Sequence, residues 1–254
     1  MKLWRCAALA MLFCSFVVRV GAGEVNVAVA ANFAAPMQKI AQAFAQDTGH
    51  TAVLALGSTG KLYAQIKHGA PFHLLLAADT ETPAKLVAEG SGLTGSAFTY
   101  ATGRLALWSQ QTGVVDDQGR VLQGPLSQQP KVKLALADPR LAPYGAAAVQ
   151  TLTQMGVWAR WQSHVVQGDN IAQAYQFVAS ENALLGFVAL SQVWADGRMS
   201  QGSVWVVPQH LHEPLRQDAV LLTKGKDQAA ALALMVFLKG ERAKAIIRAY
   251  GYGV

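Results

Sequence analysis

The stretch VNVAVAANFAAPMQKIAQAFAQDTGHTAVLALGSTGKL, Val25–Leu62, decides the fold. Its first segment, Val25 to Val29, alternates apolar and polar residues and then turns wholly apolar, as a strand entering a core does. Ala30-Ala31-Asn32 is a turn of small residues. Pro36 suits a first helical turn, and Met37, Ile40, Ala41 and Phe44 then recur on one helical face until Gly49 stops the helix. The unit starts again with a strand over Thr51 to Leu56, a turn at Gly57-Ser58-Thr59-Gly60, and a helix over Lys61 to Lys67 with Leu62 and Ile66 inward. Strands alternating with helices across short loops predict an α/β fold with a mostly parallel sheet. In such sheets ligands sit at the carboxyl ends of strands, where helices begin.

The second half repeats the design. Ala142-Pro143-Tyr144-Gly145 and Gly168-Asp169-Asn170-Ile171 again lead from a β-type run into an amphipathic helix, and the four helices carry almost no acid at their starts. A helix N-terminus presents unpaired N–H groups and a partial positive charge, so several of them converging on one cleft predict a site for a small anion. That is a binding signature rather than a catalytic one.

Around these units, Leu74 to Ala78 reads as a buried strand, with a helix near Pro83 to Glu89, and Arg104 to Trp108 as a further strand. Gln110 to Pro130 is polar and rich in Gly, Gln and Asp, a loop with room for one short helix. Lys133 to Ala137 resumes the pattern, followed by a helix from Gly145 to Met155, another from Ile171 to Val178, and strands at Leu185 to Val188 and Val204 to Val207. Pro208 to Pro214 reads as a return crossing, Ala219 to Leu222 as a strand, and Gln228 to Tyr250 as a helical region broken near Gly240. Two similar halves, with the C-terminus returning to the first, predict two lobes about a cleft. The expected division is residues 23–103 plus 213–254 for lobe 1 and 104–212 for lobe 2, the lobes hinging closed on a ligand.

Residues 1–22 read as a cleaved signal peptide: Lys2 and Arg5, an apolar run from Cys6 to Val18, then Val20-Gly21-Ala22 with small residues at the cleavage site. Arg19 interrupts the run too early for a membrane span, which needs roughly 20 apolar residues. Both cysteines, Cys6 and Cys14, lie inside the signal, and Met11-Leu12-Phe13 lacks the small residues of a lipoprotein signal. The expected product is a soluble periplasmic protein without thiol, disulfide or cysteine-bound metal. Loss of Lys2, Arg5 and Arg19 lowers the formal charge from +6 to +3. No Lys/Arg cluster alternates with aromatics along one face, which speaks against nucleic acid.

Gly57-Ser58-Thr59-Gly60-Lys61 looks like a nucleotide phosphate loop but fails the pattern, which needs Gly at Ala55 and Ser or Thr at Leu62. Ser58 and Thr59 suit an oxyanion site or ordinary helix capping equally, and Asn32 has the same ambiguity. The recurrence at Tyr144-Gly145 and Asn170-Ile171 favours the anion. His210 and His212 lack a third metal ligand other than Glu213 and read as a solvated loop pair. There is no G-x-S-x-G elbow, no H-E-x-x-H and no cysteine nucleophile, so an enzyme is not expected.

At these turns the sequence resembles the periplasmic molybdate-binding proteins of ABC transporters. The carriers are Ala30-Ala31-Asn32-Phe33, Gly57-Ser58-Thr59-Gly60-Lys61-Leu62, Gln65-Ile66 with Gly69-Ala70-Pro71, Ala78-Asp79, Asp138-Pro139 with Pro143-Tyr144-Gly145, Leu185-Gly186-Phe187-Val188, and Tyr250-Gly251-Tyr252. The resemblance implies the type II periplasmic-binding-protein fold and a tetrahedral dianion, molybdate or tungstate, held by neutral donors. It places the first-turn ligand on Asn32 with the backbone of Ala31 and the second-turn hydroxyl on Thr59 with Ser58 beside it. In the second lobe the backbone donors would be those of Tyr144 and Ile171. It implies a monomeric receptor serving an inner-membrane ABC permease with its ATPase, and no cofactor. A sulfate- or phosphate-type receptor on the same fold is the alternative, with a periplasmic hydrolase behind it.

The chain departs from the family at two places. Ala189 stands where some members carry a tyrosine hydroxyl, a loss for which Asn32 is expected to compensate, and His73 stands where Asp is common, a position read as structural. Molybdate and tungstate are fully deprotonated at neutral pH and only accept hydrogen bonds, so a donor-only site suits them. Phosphate carries a proton and would want an acceptor such as Asp169, and the smaller sulfate must be rejected by cavity size.

Overall fold

The computed structural model describes residues 22–199 and 201–254; the segment read as a signal, with Cys6 and Cys14, lies outside them apart from Ala22. The opening repeats form where the pattern puts them. Strand β1 (Glu24–Ala30) leads through a 3₁₀ turn at Ala31–Phe33 into helix α1 (Ala34–Thr48), which Gly49 ends in the left-handed conformation at φ 74°. Met37, Ile40 and Phe44 are fully buried on the inner face of α1, as their spacing requires. Then follow β2 (Thr51–Gly57), α2 (Thr59–Lys67), β3 (Leu74–Leu76), α3 (Glu81–Ala88) and β4 (Phe98–Thr102).

The chain next builds β5 (Leu105–Ser109), β6 (Leu134–Ala137), α4 (Pro143–Gln154), α5 (Trp158–Trp161), β7 (Val165–Gly168), α6 (Ile171–Ala179), β8 (Leu185–Ala189) and α7 (Leu190–Val193). A small hairpin, β9 (Trp194–Ala195) and β10 (Arg198–Met199), precedes β11 (Ser203–Val206). The return brings β12 (Arg216–Leu221), α8 (Ala229–Lys239) and α9 (Glu241–Ala249), the last two broken at Gly240 as read. The polar stretch after β5 holds two 3₁₀ turns, Arg120–Leu122 and Pro125–Gln128.

Two five-stranded sheets result, in the orders β2-β1-β3-β12-β4 and β11-β5-β8-β6-β7. The expectation of a mostly parallel sheet is corrected, because both sheets are mixed. β1 runs parallel to β2 and β3, and β6 to β7 and β8, but β12 is antiparallel to both its neighbours and β5 to both of its own. A βαβ unit fixes parallel direction through its crossover helix. β5 and β12 instead follow the two passages of the chain between sheets, where no such helix constrains direction.

Helices cover both faces of the first sheet: Val25, Val27 and Val29 of β1 pack into one apolar cluster and Ala28 into another, all fully buried. The second sheet has its own core, which extends through Ala30, Ala31 and Ala78 onto the first sheet's strand ends. The two lobes therefore meet at the carboxyl ends of β1 and β3. Among the described residues no helix is long and apolar enough to cross a membrane.

Candidate functional site

The four turns that share one design come together. Ala31, Asn32, Ser58, Thr59, Tyr144 and Ile171 all line one cavity of about 10 Å³, about the space of a single water. Among the described residues no charged side chain lines it.

Its walls are donors. Among the described residues no protein acceptor is found for the backbone N–H of Asn32, Thr59, Tyr144 or Ile171, each in the first turn of its helix. At α6 the Asn170 side chain caps the N–H groups of Ala172 and Gln173 at 3.0 and 3.1 Å, which leaves the N–H of Ile171 uncapped. The two hydroxyls at the start of α2 differ. Thr59 Oγ1 accepts the Ala78 N–H at 3.0 Å, whereas Ser58 Oγ is buried with no hydrogen-bond partner. An unpaired buried hydroxyl costs free energy comparable to a lost hydrogen bond, so Ser58 adds an open side-chain donor position to the unpaired N–H groups of the wall.

The Asn32 side chain does not replace the donor absent at Ala189. Its Nδ2 donates to Gln217 Oε1 at 2.9 Å and to the Tyr252 hydroxyl at 3.1 Å, so both amide hydrogens are spent. Ala189 is fully buried and its N–H goes to Gln192 Oε1. His73 is structural, as read: its Nδ1 accepts the Asn26 N–H at 3.1 Å, the acceptor role a carboxylate would fill.

Asp169 faces away from the cavity. Its carboxylate pairs with Lys61 Nζ at 2.6 Å across the cleft, with both side chains about half exposed. Beside this pair the Gly60 N–H donates to the Leu141 carbonyl at 2.9 Å, a backbone bond between lobes. A side chain at Gly60 would bring its Cβ within 3.1 Å of Leu141 Cα. Gly145 lets α4 start against β6, since a Cβ there would lie 2.3 Å from the Ala137 carbonyl oxygen.

Burial raises the pKa of the Tyr100 and Tyr144 hydroxyls well above the ordinary value and pushes that of Tyr252 up to about 12, so all three stay protonated behind the site. Burial also raises Asp79, next to Ala78, while the Arg140 guanidinium holds the Asp138 carboxyl below the usual range. The histidine pair is corrected in one member. His210 is exposed, but His212 is buried with Nδ1 2.7 Å from the Glu213 carbonyl oxygen. Among the described residues no group of three or more His, Cys, Asp or Glu is placed to hold a metal.

Sequence reasoning missed Gln217, Tyr100 and Ser191, and gave Tyr252 no role. A glutamine two residues before the apolar run Ala219 to Leu222 is the available signal.

Two α/β lobes joined by two chain crossings, meeting over a small uncharged cavity lined by donors, define a binding protein that encloses a solute. Residues 25–253 match the family model described as bacterial extracellular solute-binding protein. The chain is 56% identical over 233 residues to the molybdate-binding protein ModA of Azotobacter vinelandii, covering 92% of this chain and 91% of that protein. It is 48% identical over 231 residues to the molybdate-binding protein ModA of Rhodobacter capsulatus, covering 91% and 88%. Among solved structures, a periplasmic molybdate-binding protein of Azotobacter vinelandii superposes with a TM-score of 0.86 at 40% identity, over 91% of this chain and 99% of that one. The chain belongs to the bacterial extracellular solute-binding proteins.

Proposed function

We propose that this protein is a periplasmic receptor that captures molybdate, and tungstate by the same chemistry, and delivers it to an inner-membrane ABC permease with its ATPase. The observation that carries the reading is the Ser58 hydroxyl, buried and unpartnered in an uncharged cavity beside first-turn N–H groups. A fully deprotonated dianion accepts from every such donor and brings no proton that would need a carboxylate. Of the two carboxylates adjacent in sequence to lining residues, Asp169 is engaged by Lys61 outside the cavity and Asp79 accepts from the N–H and hydroxyl of Thr82, which speaks against phosphate.

In this reading the backbone N–H groups at Ala31, Asn32, Tyr144 and Ile171 and the hydroxyls of Ser58 and Thr59 hold the oxyanion. Ser58 is the principal side-chain donor; Thr59 also anchors the turn at Ala78, and its hydroxyl proton remains free to point at the ligand. The lobes, residues 23–103 plus 213–254 and residues 104–212, close around the anion, and closure follows from its higher affinity for the closed form. The protein acts as a monomer and as a receptor, not an enzyme, exported by a signal at residues 1–22.

Titration calorimetry with molybdate, tungstate, sulfate and phosphate tests the reading. Tight binding of the first two with no heat from the others is expected, and binding of sulfate or phosphate alone would overturn the specificity. Ser58→Ala is expected to weaken molybdate binding by about 1–3 kcal/mol, roughly five- to 150-fold. Unchanged affinity in that variant would remove Ser58 from the site.

A further inference from the structure

Behind the cavity lies a buried hydrogen-bond network that ligand contact does not require. Gln217 is fully buried in β12 at a bulge, where the register against β4 shifts between Gln217 and Asp218. A bulge of this kind re-aims a side chain. Gln217 Oε1 lies 2.9 Å from Asn32 Nδ2 and 3.0 Å from the Tyr100 hydroxyl, and its Nε2 donates to the Tyr144 hydroxyl at 3.1 Å. Flipping the amide alone would set its NH₂ against the Asn32 donor, so the surrounding groups fix its orientation.

The Asn32 backbone is pinned as well. Its carbonyl accepts from the Tyr252 hydroxyl at 2.7 Å and from Ser191 Oγ at 2.8 Å. Asn32, Gln217 and Tyr100 belong with the first sheet, Tyr144 and Ser191 with the second. The first chain crossing passes through the same place: a Cβ on Gly103 would lie 2.1 Å from the Tyr144 hydroxyl and 2.5 Å from Gln217 Nε2.

We propose that Gln217 is a positioning residue for the ligand: by holding the Asn32 amide and the Tyr144 hydroxyl at once, it sets the span between the two halves of the donor cage. The inference rests on the receptor reading above. Asn32 and Tyr144, one from each lobe, both line the cavity and have no protein acceptor for their backbone N–H among the described residues, and their side chains meet on this single amide. A cage of fixed span discriminates oxyanions by size, so Gln217 acts on selectivity as well as on affinity. A neutral amide suits the position, because it donates and accepts at once without placing charge behind a dianion. Glutamate there would repel the ligand, and lysine would attract every anion alike.

The test uses the full mature chain and its Gln217→Leu variant, each titrated with molybdate and with sulfate and melted without ligand. Gln217→Leu is expected to raise the molybdate Kd about tenfold or more and to narrow the preference for molybdate over sulfate. Tyr144→Phe keeps the backbone donor and the packing while removing the group that Gln217 Nε2 reaches, and it should move both quantities the same way by less. It decides the matter alone if Gln217→Leu fails to fold. A molybdate Kd within about twofold of wild type, with only the melting temperature lowered, would overturn the proposal and leave Gln217 a packing residue. A wild-type chain silent to molybdate would instead overturn the receptor reading and this inference with it.

Discussion

The two margins of the cleft are built from opposite materials. On the hinge side, Asn32, Tyr100, Tyr144, Ser191, Gln217 and Tyr252 are all buried, all neutral and joined by hydrogen bonds of 2.7 to 3.1 Å. On the rim, one backbone bond from Gly60 to Leu141 and one half-exposed ion pair, Lys61 with Asp169, cross the gap. Breaking the buried side would leave several unpaired polar groups in a dry interior, whereas breaking the rim returns each group to water. In the receptor proposed above, the buried side would therefore serve as the pivot and the rim as the edge that parts.

Four measurements test that contrast. The largest effect is expected at the pivot, where Gly103→Ala would force a methyl against the Tyr144 hydroxyl. Overpacking of this kind costs about 3 kcal/mol, roughly 6–12 °C in the ligand-free Tm, and a melt within a degree of wild type would show the pivot to be soft. At the rim, Gly60→Ala should leave the ligand-free melt nearly unchanged yet weaken molybdate binding by about 1 kcal/mol, since its Cβ meets Leu141 only when the lobes are together. A large loss of ligand-free stability in that variant would mean that the rim, too, is part of the resting fold.

Smaller again is Asp169→Asn. An exposed pair contributes at most about 1 kcal/mol, so ligand release should quicken by less than about fivefold, and the difference should vanish at high salt. A salt-insensitive effect would place Asp169 inside the binding site. The smallest expected change is none: with no charged side chain in the cavity and with Tyr252 pushed up to about 12, molybdate affinity should be flat from about pH 7 to 9. A titration step within that window would reveal an ionisable group that the geometry leaves out.

What was legible in the sequence was what local pattern controls. The strand, turn and helix over Val25–Gly49 formed within one or two residues of the reading, because apolar periodicity and the left-handed need of Gly49 act locally. The six residues read as ligand-binding gather at one cavity, since a turn between strand and helix is itself a local signal. Strand direction was not legible, because β12 takes its partners β3 and β4 from more than a hundred residues away. The edge strand β4, FTYAT, was missed for the same reason: nothing in its short mixed pattern announces pairing. Gln217 could not be given a role from its neighbours, because its partners Asn32 and Tyr144 are 185 and 73 residues distant in the chain. The turns announced which residues gather at the cavity, and the groups that hold the turns still were invisible until the sheets were assembled.

The strand order of the first sheet sets when the donor cage can be completed. β12 lies between β3 and β4, and the Gly253 N–H and carbonyl close on Thr102. Every strand of the second sheet falls within residues 105–206, so that half can finish while the first waits with a vacant slot. The Asn32 turn acquires Gln217 and Tyr252 only when β12 and the segment around Tyr252 join it, so a folding intermediate that lacks them has no finished cage. In the receptor proposed above, anion capture is thereby deferred to the fully folded chain.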